Sequence, residues 1–260
     1  TGNLLTAIPL PPTSGFPLNY ARIGYDNALV NGAASATSDN INSAKMLTPS
    51  TYDKWRPTTD SVATLVGTLK QCNYVGIAAH NLGADGVTLT VKVSDGGTYT
   101  TVYSQLVTTD NALFIRFVEG TYSNVELTLT GSLTAEIGVV FLGLELEMMR
   151  PIFTGHKPAN LNATDVMTPQ ISDGGQFLGK QIVRQGYATA AEFQHLTDEW
   201  YRDKFQPFVE HAKVRPYFWA WNLLESPDDV VYGWTNSNIG CSYMGIRNWL
   251  QVSFDIEAHA

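Results

Sequence analysis

Adjacent carboxylates at Asp228-Asp229, just after Ser226-Pro227, are the pair in this chain whose type best suits acid–base work. Neighbouring acids in a turn usually point apart, so a loop role is the stronger expectation. Glu145 and Glu147 fall on one side of a strand pattern and carry the charge to hold a cation; a solvated or interface face is the competing reading. The five histidines, His80, His156, His195, His211 and His259, are scattered. His195 and His211 fall in one helical pattern but sixteen residues apart, with no third ligand, so no metal site is expected. Nucleophile elbows, zinc-binding helices, phosphate loops and paired-cysteine motifs are all missing from the sequence. No catalytic set and no cofactor are expected.

A dense group of aromatics, Tyr217, Phe218, Trp219, Trp221, Tyr232 and Trp234, is the other feature with chemical content. Aromatic faces stack on sugar rings when exposed. In a small sheet backed by one helix they more often form core or subunit interface. Cys72 and Cys241 are too few for a disulfide framework and are expected to be free, buried thiols, with a single long-range disulfide as the lesser reading.

The elements that must position these residues read mainly as strands. The chain has 260 residues, 44% of them hydrophobic and only 15% charged, which is the composition of a folded chain with room for two domains. Its net charge of −8 argues against non-specific nucleic-acid binding and against docking on anionic lipid. No apolar run approaches the length of a membrane span. The N-terminus lacks a basic leader region, so a mature chain made in the cytoplasm is expected.

Residues 1–16 read as an extended arm, because Pro9, Pro11 and Pro12 block helix and central-strand pairing. Residues 17–148 form a first domain, with strands expected at 62–69, 73–78, 87–93, 98–102, 112–117, 124–130 and 135–146. Val87, Leu89, Val91 and Val93 alternate with polar residues between two turn-rich tetrapeptides, as in a half-buried strand. This near-regular spacing points to a sandwich or jelly roll.

Residues 149–175 carry three prolines and little periodicity, and read as a linker or second arm. Residues 1–16 or 149–175 are expected to lie across another subunit. Residues 176–260 form an α+β unit. Thr197 is placed to cap a helix whose first turn holds Asp198 and Glu199. Trp200, Tyr201, Phe205, Phe208, Val209 and Ala212 share one face of that helix, and Pro207 should kink it. The last strand alternates Leu250, Val252, Phe254 and Ile256 with Gln251, Ser253, Asp255 and Glu257, which suits a sheet with one exposed or partner-covered face.

Tyr52-Asp53-Lys54-Trp55-Arg56-Pro57, Asn73 to Gly83, and Val91 to Gly97 make the first domain resemble the discoidin-like, galactose-binding-like β-sandwich. That resemblance implies glycan or surface binding through loops at one end of the sandwich. It directs attention to His80, Asn81 and Asp85 as ligand-binding residues. Gly175 to Gly186, Arg215 to Trp221 and Val230 to Trp234 resemble structural proteins of tailed bacteriophages, whose small α+β domain is similar to tail-tube and distal-tail folds. Together the resemblances imply a discoidin-like jelly-roll sandwich followed by a tail-tube-like, ring-forming domain. The implied protein is a non-enzymatic virion component at the tail tip. Its partners would be itself in a ring, the tail tube and hub, and host-surface glycans. A free carbohydrate-binding module is the main alternative, and a hydrolase using Asp228-Asp229 is a lesser one.

Overall fold

The computed structural model describes residues 19–131, 134–153, 155–245 and 248–259, so the expected arm at 1–16 lies outside the described residues. The protein is mainly β, and two sheets carry most of it. Strand β1 (Arg22–Gly24) belongs to the second sheet, although it lies at the start of the chain. The first sheet is built from β2 (Ala33–Ala36), β3 (Ser61–His80), β4 (Thr88–Ser94), β5 (Thr100–Leu106), β6 (Leu113–Thr130) and β7 (Ile137–Gly143). Their order is β2-β3-β6-β4-β5, with β7 also paired to β3.

Four expected strands have merged into two. Segments 62–69 and 73–78 are one strand, β3, and segments 112–117 and 124–130 are one strand, β6. Their pairing shifts register between Val66 and Lys70 and between Cys72 and Tyr74. Gly67 and Gly120 fall at these shifts, and pairing resumes beyond them, so each strand continues through an irregularity instead of ending. One core takes side chains from both halves of the bent sheet, including Trp55, Leu65, Ile77, Val91, Val125 and Val140. Every residue of β7 is buried, as its unbroken apolar run requires.

The second sheet contains β8 (Leu146–Glu147), β11 (Gly186–Thr197), β12 (Tyr217–Ala220), β13 (Val230–Trp234), β14 (Gly240–Tyr243) and β15 (Trp249–His259). A separate two-stranded ribbon is formed by β9 (Val166–Ile171) and β10 (Phe177–Arg184). The second sheet runs β11-β15-β13-β12-β1-β8, with β14 added on β15. Two of its strands, β1 and β8, therefore come from within residues 17–148. Leu250, Val252, Phe254, Ile256 and Ala258 of β15 are buried, while Ser253, Asp255 and Glu257 are exposed, so this strand has two distinct faces.

A helical run over 198–212 packs on the buried face, with Phe208 against Tyr217 and Phe254. Thr197 caps it by accepting the Trp200 N–H at 3.3 Å. The middle of the run, Tyr201–Phe205, is a π-helix, followed by α-helix over Gln206–Ala212. A proline ring clashes with the carbonyl four residues before it, and a widened turn just ahead of Pro207 relieves that clash. His195, grouped with His211 by its helical pattern, instead lies in β11, where its positive φ marks a bulge. Cys72 is buried as expected, whereas Cys241 is exposed on the short outer strand β14; both are free.

The two sheets meet at an aromatic seam. Phe141 and Phe218 lie 5.3 Å apart, Phe218 and Tyr232 4.9 Å, and Tyr74 stacks on Phe114 at 4.8 Å. A Cβ at Gly76 would sit 2.6 Å from the Phe218 ring, so a glycine there lets the sheets approach. Most of the aromatic group noted in the sequence is thus core: Tyr217, Phe218, Trp219 and Tyr232 are buried, and Trp221 and Trp234 are partly exposed.

Much of the segment expected to reach another subunit lies against its own β11. Phe153 donates its N–H to the Glu192 carbonyl at 2.8 Å, Thr164 to Gly186 at 2.7 Å, and Ala188 to the Asn162 carbonyl at 3.2 Å. An edge strand leaves a row of unpaired backbone groups, and this segment satisfies part of that row.

Candidate functional site

A cavity of about 310 Å³ opens where the two sheets meet. The sandwich contributes Lys54, the end of β3 and the Asp110-Asn111 loop between β5 and β6. The second unit contributes Asn160, Tyr187 and the start of β13. Asn111 and Asn160 both donate side-chain N–H groups to the Asp228 carbonyl, at 3.0 and 3.2 Å, which ties the two walls across the seam.

The end of β3 is conformationally strained at this point. Ala79 has φ of 55°, a left-handed conformation that costs a non-glycine residue about 1–2 kcal/mol. Opposite it, a Cβ at Gly138 would lie 2.8 Å from the Ala79 Cβ, so only glycine accommodates the kink. The kink sets Ala78, Ala79 and His80 together in the cavity wall.

His80 is buried, and its Nδ1 faces the Leu82 N–H at 3.4 Å. Burial pushes its pKa down to about 4, against the opposing pull of Asp110 and the Asn111 carbonyl. The imidazole is therefore neutral at physiological pH. The other charges on the wall are internally matched. Lys54 pairs with Glu136 at 2.8 Å, and the Asp110 carboxylate accepts the Gly83 and Ala84 N–H groups at 2.8 and 3.0 Å. What remains is a neutral set of amide, imidazole and hydroxyl groups beside an apolar wall of Ala112, Val230 and Tyr232.

Of the three residues singled out in the sequence, His80 lines this cavity. Asn81 and Asp85 hold the neighbouring loop closed. Asn81 donates to Asp85 at 3.0 Å and to the Thr134 carbonyl at 2.9 Å, and it accepts the Glu136 N–H at 2.6 Å. Thr134 donates to Asp85 at 2.8 Å. Lys54, Asn111, Asn160 and Tyr187 were missed, because they come from distant segments that only the tertiary fold brings together. The one usable signal was the non-periodic 149–175 segment, which supplies Asn160.

Asp228 and Asp229 sit at the rim. The Asp229 carboxylate accepts from Asn160 at 3.2 Å and from the Trp221 indole N–H at 3.3 Å, so it orients the rim. Glu145 and Glu147 do hold cations, but these are the chain's own Arg22 and Arg116. Among the described residues, no group of three His, Cys, Asp or Glu side chains is placed to hold a metal ion. No helix among them is long and apolar enough to cross a membrane.

No protein-family model matches the chain, and no curated protein matches it either. Solved structures similar to part of it include chitosan-binding module 1 of a chitosanase/glucanase from Paenibacillus sp. IK-5. That module is 19% identical, covers 45% of this chain and 98% of its own, and has a TM-score of 0.39. The family 32 carbohydrate-binding module of Clostridium perfringens NanJ, in complex with galactose, is 11% identical over 46% of this chain and 98% of its own, with a TM-score of 0.40. A further C. perfringens module, CpGH89CBM32-5 with GalNAc-β-1,3-galactose, is 13% identical over 45% and 97%, with a TM-score of 0.39. Each likeness spans less than half of this chain, and the functional reading rests on the cavity.

The neutral state of His80 has a pH consequence. The unfolded imidazole titrates near its ordinary value of 6.5 and the folded one near 4. Between those values the unfolded chain binds the extra proton, so stability is full above pH 6.5 and falls as pH drops toward 4. The loss amounts to about 3 kcal/mol. His156 and His211, also lowered by burial, act in the same direction. Urea denaturation of the wild type and His80→Gln at several pH values isolates the His80 share; identical pH slopes for the two proteins would contradict the assignment.

Proposed function

We propose that this chain is a non-enzymatic binding protein whose seam cavity takes a neutral sugar unit of a glycan. The observation that carries this reading is the cavity wall itself: neutral hydrogen-bonding groups beside apolar surface, with Lys54 and Asp110 already matched. Sugars present that same combination of hydroxyls and an apolar ring face. A charged ligand would have to compete with the pairs already formed.

In this reading both units face the ligand at the seam, and other surfaces of residues 149–260 build the chain into a larger assembly. The resemblance to tail-tip proteins gives that assembly a form: a ring in a virion, with tail tube and hub as neighbours. An exposed apolar ribbon, described below, supports an assembly role. A free carbohydrate-binding module instead predicts a monomer whose sugar affinity survives without the C-terminal half.

Calorimetric titration of the full chain with a panel of neutral and charged oligosaccharides tests the proposal. Dissociation constants in the range of about 1 μM to 1 mM are expected for a neutral sugar. Asn111→Ala and Tyr187→Ala should each weaken binding by about tenfold, since each removes one wall contact. Binding that survives both substitutions would place the ligand elsewhere, and no neutral sugar bound at millimolar concentration would remove the reading.

A further inference from the structure

The ribbon formed by β9 and β10 pairs with no other strand among the described residues, and every residue of its two strands except Gly179 is exposed. A lone two-stranded ribbon is marginal in water, and exposed apolar surface of this kind marks an interaction site. Register makes it two-faced. Met167 opposes Ile182 and Pro169 opposes Lys180 on one face, while Thr168 opposes Gln181 and, beyond a register shift, Val166 opposes Arg184 on the other. The tip adds a directly opposed pair, Ile171 and Phe177, that are 62% and 69% exposed. The strands carry two cations, Lys180 and Arg184, and no carboxylate.

The outer face of the second sheet has the opposite character. Ala188 opposes Glu257, Ala190 opposes Asp255 and Glu192 opposes Ser253, so three carboxylates share a face with small side chains. None of them takes part in an ion pair among the described residues. Like charges set side by side on a sheet repel, and a cationic partner relieves that repulsion. Glu192 and Asp255 line a groove of about 340 Å³, together with the exposed apolar side chain of Phe153.

We infer that the β9–β10 ribbon of one copy docks on the outer face of the second sheet of another copy. Lys180 meets the carboxylates, and Met167 and Ile182, on the same ribbon face, cover Phe153. The two surfaces differ, so the contact is head-to-tail and generates a ring when its rotation closes. The inference rests on the assembly reading above and is independent of whether the seam cavity holds a sugar.

Sedimentation equilibrium of the full chain at low and high salt is the test. Wild type should self-associate, and more weakly at high salt. Lys180→Glu should weaken association at least about tenfold, because like charges then face each other, whereas Arg184→Glu on the other face should weaken it less. These sites are exposed, so the melting temperature should not move. Adding Asp255→Arg with Glu257→Arg to the reversed ribbon should restore association. A wild type that stays monomeric at about millimolar concentration and low salt overturns both the inference and self-assembly. Association that ignores the ribbon reversal overturns the inference alone.

Discussion

Glu145→Ala should cost about 3–5 kcal/mol of folding stability, because it removes the counter-ion of two buried guanidinium groups. Arg22 and Glu145 have fully buried side chains, and Arg116 is nearly so. Arg116 Nε donates to both oxygens of Glu145, at 2.8 and 2.9 Å. Arg22 Nε lies 3.7 Å from the same carboxylate, and both arginines approach Glu147 at 3.7 Å. The Glu145 N–H is fixed in turn by the Asn73 side chain at 2.8 Å.

Burial pushes the Glu145 carboxyl above its ordinary range, against the pull of both arginines, and it lowers Arg22. Desolvation therefore dominates this cluster, and its role is to specify the seam more than to add net stability. β1, β6 and β8 each supply a member, so the cluster fixes how the second sheet sits on the first. A cycle of Arg116→Met, Glu145→Leu and the double variant, followed by urea denaturation, measures this. The double variant should be at least about 1 kcal/mol more stable than the sum of the singles predicts. Strict additivity, or an unchanged midpoint for Glu145→Ala, would refute the role.

Legibility of the fold in the sequence followed the reach of the signal. Period-2 alternation marked β4 and β15, and the capping threonine marked the start of the helical run, because these patterns are local. The junctions of β3 and β6 were misread as breaks, since Gly67 and Gly120 interrupt the alternation where the pairing only shifts register. Arg22–Gly24, too short to show a period, gave no hint that it would join a sheet whose other strands lie mostly beyond residue 185. The same limit applies to the candidate site. His80 was singled out only through the discoidin-like resemblance, and Asn111, Asn160 and Tyr187 reach the cavity only through the seam. The strain at Ala79 has no sequence signature, as alanine is ordinary in strands.

Trp55 offers the sharpest test of how the sandwich core supports that cavity. Its side chain is fully buried, its indole N–H donates to the Ser38 carbonyl at 2.8 Å, and its backbone exchanges hydrogen bonds of 2.9 and 3.0 Å with Ile137. Trp55→Ala should cost about 3–5 kcal/mol through lost burial and the space left behind. Trp55→Phe retains most of the volume but strands the Ser38 carbonyl, for a cost of about 1–2 kcal/mol. Ile137 also pairs with His80, and the neighbours Lys54 and Arg56 both bind Glu136. Loosening Trp55 should therefore weaken ligand binding at the seam as well as stability, with Trp55→Ala above Trp55→Phe in both. Thermal denaturation and sugar titration on the same variants separate the two effects. An unchanged melting temperature for Trp55→Ala would remove the indole from the core. A destabilised variant with unchanged sugar affinity would instead uncouple the Trp55–Ile137–His80 path from the cavity.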